Sequence, residues 1–180
     1  MLKVNLKTHK PGLIYRLRMT APHTHYFEVE FEISDFDGRY AELCLPAWTP
    51  GSYKIRDYAQ HVQEFEAVSG KKTLPFIKVD KQTWRVDARN AGKKFTARYK
   101  FYANDLTVRT SELNDTHAFV HSAGVFMYLK DYVKHPLTVN VYPPRGWKVA
   151  TGLDTKKGAG FAFTAQTYHE LADCPIEIGK

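Results

Sequence analysis

"YFEVEFEISDFDGRYAELCL" (residues 26–45) decides the fold class. Over its first eight residues Phe27, Val29, Phe31 and Ile33 fall on one side, and Glu28, Glu30 and Glu32 on the other. A period of two held over that length predicts a strand with one face buried and one solvated. Asp37-Gly38 then suits a hairpin turn, with "RYAELCL" as the return strand. The same alternation lies to either side. "LIYRLRM" (residues 13–19) precedes it, and in "KFTARYKFYA" (residues 94–103) Phe95, Ala97, Tyr99 and Phe101 share a face.

"HVQEFEAVSGKK" (residues 61–72) reads as a strand ending at a Ser69-Gly70 turn, and "LPFIKVDKQTWRVDA" (residues 74–88) as two strands around Asp80-Lys81. "LTVNVYP" and "WKVA" are strands separated by a turn at residues 143–146; "GAGFAFTA" and "PIEIG" add two more. Helical pattern is scarce. "SAGVFMYLKDY" can form a turn or two, and "TAQTYHELAD" a short helix capped by Thr164 or Thr167. Many short strands joined by turns predict an all-β fold: antiparallel sheets in a sandwich or saddle, with one or two short helices. One domain over residues 1–180 is the economical organisation.

Composition narrows the function classes. Hydrophobic residues make up 43% and charged residues 25% of the 180, a balance that suits a globular, soluble protein. The net charge of +7 raises the question of nucleic acid, but Lys and Arg are scattered, often beside acids or on alternate strand positions. Neither nucleic acid nor membrane is therefore an expected partner. The start lacks a secretory h-region, so Cys44 and Cys174 are expected as reduced thiols in a cytoplasmic protein.

Candidate chemistry within the chain is incomplete. "HELAD" (residues 169–173) has Asp173 where a zinc-peptidase H-E-x-x-H helix has its second His, and Pro175 ends any helix at once. His117 and His121 would stand roughly 13 Å apart on a strand, too far to share a metal. His23 and His25, roughly 6.6 Å apart on a strand, could share one, but no third ligand is evident. There is no G-x-S-x-G, G-x-G-x-x-G or Walker loop. No catalytic residue, metal ligand or cofactor is assigned to this chain.

The densest unusual stretch is "LPAWTPGSYKIRDYAQH" (residues 45–61). Pro46 and Pro50 remove two N–H donors, which excludes a central strand, and Pro50-Gly51 suits the middle of a type II turn. Trp48 and Tyr53 are then held on a rigid loop with Arg56 and Asp57 beside them. Such a loop is either a packed crossover or an aromatic ledge that meets a domain or ligand. A free-standing peptide- or carbohydrate-binding module, with Trp48, Tyr53 and Trp84 as its platform, is the alternative reading.

This stretch resembles the signature of the N-terminal domain of the glycyl aminopeptidase family of zinc metallopeptidases. The resemblance continues through "KVDKQTWRV" (residues 78–86), "YKFYANDLTVRTSELNDTHAFVHSAGVFMYL" (residues 99–129) and "YHELADCPIEIG" (residues 168–179). It implies a non-catalytic β domain, similar to the N-terminal domain of large zinc aminopeptidases. The zinc and its H-E-x-x-H helix are implied to lie in a following catalytic domain, where this sequence stops. It also implies that the partner is that catalytic domain of the same polypeptide, with a peptide substrate between them. In such an arrangement Trp48, Tyr53, Arg56 and Asp57 are candidates for docking. Arg109, Glu112, Asn114 and Asp115, in "VRTSELNDTH", are candidates to wall the cleft: Glu112 or Asp115 could meet a substrate ammonium, while Arg109 holds the loop.

Overall fold

The computed structural model describes residues 10–50, 52–158 and 160–180. The fold is mostly β, in three sheets that share one hydrophobic core. The largest runs in the order β14 (Asp154–Thr155), β15 (Ala162–Ala165), β12 (Leu137–Tyr142), β1 (Gly12–Arg18), β2 (Tyr26–Ser34), β8 (Lys94–Tyr102), β4 (Val62–Ser69) and β5 (Lys72–Thr73). The second is β13 (Lys148–Thr151), β16 (Ile176–Gly179), β10 (His117–Val120) and β9 (Glu112–Leu113). The third is β11 (Tyr128–Leu129), β3 (Tyr40–Cys44), β7 (Thr83–Asp87) and β6 (Phe76–Lys78). Pairing is antiparallel throughout these ladders except between β1 and β12, which are parallel. No helix among the described residues is long and apolar enough to cross a membrane.

The alternation read from the sequence is the alternation of burial. Phe27, Val29, Phe31 and Ile33 of β2 are buried, as are Phe95, Ala97, Tyr99 and Phe101 of β8. Each large apolar side chain so buried contributes roughly 1.5–3 kcal/mol. The outward glutamates meet basic residues on neighbouring strands: Glu32 pairs with Arg16 and Lys94, both at 3.3 Å, and Glu30 with Arg98 at 3.2 Å. Exposed pairs of this kind add little stability. They do occupy part of the excess basic charge on the solvated face.

The hairpin expected at Asp37-Gly38 does not form. Both edges of β2 are occupied, by β1 and β8, so the chain must leave the sheet. Asp35 turns it in a left-handed conformation (φ 53°) and donates its N–H to the Lys93 carbonyl at 2.7 Å. The Phe36 ring packs edge-on against Phe95 and Tyr132. Gly38 lies under that ring: a Cβ there would sit 2.4 Å from Phe36 Cζ. The segment thus crosses to the third sheet, where β3 pairs with β7 and β11. The turn at residues 143–146 is a second crossing, from β12 in the large sheet to β13 in the second. Trp147 is buried in the common core immediately after it. By contrast, β6 and β7 do pair around Asp80, whose carboxylate accepts the Gln82 N–H at 2.8 Å.

Where the sheets meet, a short irregular segment is fixed by three buried phenols. α1 (Ser122–Val125) is a single turn, and its last residue, Val125, and Phe126 and Met127 after it are wholly buried. Tyr99 Oη donates to the Val125 carbonyl (2.8 Å) and accepts from the Met127 N–H (3.1 Å). Tyr168 Oη donates to the Phe126 carbonyl (2.9 Å), and Tyr15 Oη to the Met127 carbonyl (2.7 Å). Buried backbone groups outside a ladder need such partners, and here side chains supply them. Burial drives the acidity of all three phenols down, so they remain proton donors.

Candidate functional site: a groove between two loops and a short helix

α2 (Tyr168–Asp173) forms as the sequence suggests, with Thr167 as its cap: Thr167 Oγ1 accepts the Glu170 N–H at 3.1 Å. The Glu170 carboxylate reaches back to the Gln166 N–H at 2.6 Å, so it serves the helix start. Ser122 Oγ donates to the Cys174 carbonyl at 2.6 Å and ties α1 to the end of α2. These two helices form the base of a groove of about 870 Å³, within the range of ~300–1,000 Å³ usual for ligand clefts.

One wall of the groove is the proline-rich loop. Ser52, which is buried, organises it. Its hydroxyl donates to the Lys54 carbonyl (2.8 Å) and accepts from Arg56 Nε (3.0 Å), while its carbonyl accepts from Trp48 Nε1 (2.7 Å). The loop is closed by Arg56 N–H on the Ala47 carbonyl (2.7 Å) and by Ser52 N–H on that of Thr49 (3.1 Å). The expected Pro50-Gly51 turn falls partly outside the described residues, since Gly51 is not among them. Below the loop Tyr58 is buried against the His121 ring, centroids 5.3 Å apart. A Cβ on Gly124 would sit 3.1 Å from both His121 Nδ1 and Tyr58 Cδ1, so only glycine leaves that contact relaxed.

The other wall is the loop between β8 and β9. Thr107 and Thr110 brace it: their hydroxyls lie 2.7 Å apart, and Thr107 Oγ1 also accepts the Arg109 N–H at 3.2 Å. Leu106 and Val108 point outward, and Arg109 turns toward the groove. The Arg109 guanidinium has no hydrogen-bonding or ion-pair partner among the described residues.

The structure therefore brings Trp48 and Arg109 together on facing walls, although they are 61 positions apart in sequence. Tyr53 stands fully in solvent on the first loop, with Arg56 and Asp57 at its base; Asp57 is left-handed (φ 47°) at the start of a 3₁₀ turn. Glu112, Asn114 and Asp115 lie elsewhere, on the β9–β10 hairpin. Asn114 Oδ1 closes that hairpin by accepting the N–H groups of Thr116 and His117, both at 2.9 Å. Glu112 is hydrogen-bonded to His117 at 3.3 Å, and Glu177 of β16 holds the other ring nitrogen. Asp115 is exposed at the tip.

Trp84 is not on the ledge with Trp48 and Tyr53. It is buried on β7, stacked on Phe65, with Lys78 above its ring. On β7 ("TWRVD") it alternates with Arg85 and shares the buried face with Val86, which turns it inward. Ser52 and Tyr58 escaped the sequence reading, which weighs His121 only as a metal partner of His117 and sets it aside. Only the crowding of "PGSY" with a nearby Tyr marked the first two, and nothing local places His121 in this groove. Its ring is partly buried with Nδ1 unpartnered, and burial holds its pKa below the usual histidine range.

Among the described residues no group of three or more His, Cys, Asp or Glu is placed to hold a metal. His25 faces the Leu113 carbonyl at 2.6 Å, and His23 lies in a 3₁₀ turn rather than on a strand.

A solved structure of an aminopeptidase N family protein from Idiomarina loihiensis is similar over 93% of this chain, with a TM-score of 0.85 and 29% sequence identity. This chain spans 29% of the length of that one. A comparison with curated proteins found no match. The β architecture is that of an aminopeptidase N-terminal domain. Its sequence agrees along almost its whole length, for residues 14–180 match the family described as Peptidase M61 N-terminal domain, and the chain belongs to that family.

Proposed function

We propose that this chain is the non-catalytic N-terminal domain of a zinc-dependent aminopeptidase of the glycyl type, and that it docks through the groove face onto the catalytic domain of the same polypeptide. One observation carries the reading: the two loops that wall the groove both carry exposed apolar side chains. Trp48 (50% exposed) and Val108 (78%) line the groove itself, and Tyr53 (99%), Ile55 (71%) and Leu106 (57%) are exposed on the same two loops. A soluble surface seldom concentrates so many, and such patches mark interaction faces. The peptide substrate would then lie between the two domains, with this one closing a side of the cleft. Zinc and the attack on the peptide carbonyl would belong to the catalytic domain. The groove volume suits a second reading, a peptide- or carbohydrate-binding module, with Trp48 and Tyr53 but not Trp84 as its platform.

The test uses the full-length polypeptide with a specific protease site inserted after Lys180. After cleavage the two parts should stay together on size exclusion, and Trp48→Ala should weaken their association at least tenfold. The intact protein should hydrolyse glycyl and alanyl amides, and the separated 180-residue chain should not. Parts that separate freely after cleavage would refute the docking; binding of a free peptide or sugar by the lone chain would favour the second reading.

A further inference from the structure

Seven of the nine arginines have clear occupations. Arg16, Arg85, Arg89 and Arg98 pair with carboxylates, Arg18 and Arg39 lie over tyrosine rings, and Arg56 serves Ser52. Arg109 and Arg145 have no such partner among the described residues. Of these, Arg145 is exposed on a turn, whereas Arg109 is half-buried in the groove wall. A half-buried guanidinium is never neutral and keeps its five donors, so an apolar partner pressed against it would strand them.

Two acids lie near without meeting it. Asp105 lines a small adjoining cavity, and Asp173 lines the groove from the end of α2; among the described residues neither forms an ion pair with Arg109. Both are exposed and therefore solvated. The His121 ring lines the same small cavity as Arg109, and its burial lowers its pKa. Arg109 is thus an arginine without an ion-pair partner among the described residues, in a groove lined mainly by apolar side chains, with Asp173 and His169 at its α2 side. The brace of Thr107 on its N–H fixes the backbone from which it reaches.

We infer that Arg109 receives a carboxylate from the docked catalytic domain, so that the groove takes an apolar segment carrying one acidic side chain. The inference rests on the docking reading above and adds the chemistry of the partner. Charge complementarity selects the occupant: Trp48, Val108 and Ala172 line the groove for apolar side chains, and Arg109 provides a positive charge, without an internal partner among the described residues, that sets register. β16 begins beside the groove, where Pro175 is part of its lining, so the chain passes this face before Lys180.

The same cleavable full-length protein tests it. Arg109→Glu should weaken association of the two parts at least tenfold, Arg109→Gln less, and Arg109→Lys least. The wild-type affinity should fall as NaCl rises from about 50 to about 500 mM, beyond the range where close charges are unscreened. In Arg109→Gln that salt dependence should be reduced. Thermal midpoints of the 180-residue chain should be unchanged in all three, since the side chain has no internal partner. If Arg109→Glu binds as tightly as wild type while Trp48→Ala weakens binding, the acidic partner is refuted and docking stands. If the wild-type parts do not associate, both readings fall.

Discussion

The floor and the rim of the groove are built on opposite principles. On the floor, residues 122–127 are buried to the last side chain, and three phenols satisfy their backbone. On the two loops that form its walls, Trp48 and Val108 at the rim and Tyr53, Ile55 and Leu106 beside them project apolar surface into solvent, and the loops are braced by local hydrogen bonds. The floor's energy is internal to this chain. The rim's apolar surface is left uncovered by it. Substitutions should therefore separate the two: floor changes should cost folding stability, and rim changes should cost association.

The largest effect is expected at Phe126. It is fully buried with its ring edge-on to Tyr15 at 5.3 Å. Phe126→Ala should destabilise the chain by about 3–5 kcal/mol, read as a lowered urea midpoint. A smaller loss would mean that the floor can collapse around the cavity and is less rigid than its hydrogen bonds imply.

Next comes Tyr99→Phe, which strands two buried backbone groups, the Val125 carbonyl and the Met127 N–H. About 1–3 kcal/mol is expected, more than for Tyr15→Phe, which removes one bond. Equal losses in urea titrations would show that the Met127 N–H finds another partner.

The contrast also explains what the sequence made legible. Strands with one buried face declared themselves by alternation, as in β2 and β8, because that period is imposed by burial alone. Partners did not declare themselves. "SDFDG" carries hairpin chemistry, yet the chain crosses sheets there because β1 and β8 already fill both edges of β2. Gly38 answers to the Phe36 ring rather than to a tight turn. The site divides in the same way. Trp48 stood out because prolines and aromatics crowd around it, and Arg109 because of the loop it sits in. That they face each other depends on three sheets meeting, and His121 and α2 complete the groove from far along the chain.

A third, smaller effect lies on the second sheet, beside the floor. His117 is held between Glu112 of β9 and Glu177 of β16. Burial alone would lower its pKa, but the hydrogen bonds to Glu177 and Glu112 and their charges outweigh this, and the net shift is upward. A raised histidine pKa gives stability that is fully present below the unfolded value near 6.5 and is lost as pH rises through the folded value. The thermal midpoint of wild type should thus exceed that of His117→Gln more at pH 5.5 than at pH 8.5. His61 and His121, both lowered by burial, work in the opposite sense in both proteins and cancel from the difference.

The rim should give the smallest effects on folding. Trp48 is half-exposed with one hydrogen bond to the Ser52 carbonyl, so Trp48→Ala should cost the lone chain about 1 kcal/mol, against the several expected of a core ring. Val108→Ser should change it by no more than about 0.5 kcal/mol, because the side chain is 78% exposed and has little to lose. Yet if the rim is a docking surface, Val108→Ser should still weaken association of the cleaved full-length protein. A variant silent in the urea titration of the chain and silent in that association as well would leave Val108 outside the interface. The docked patch would then narrow to the Trp48 side of the groove.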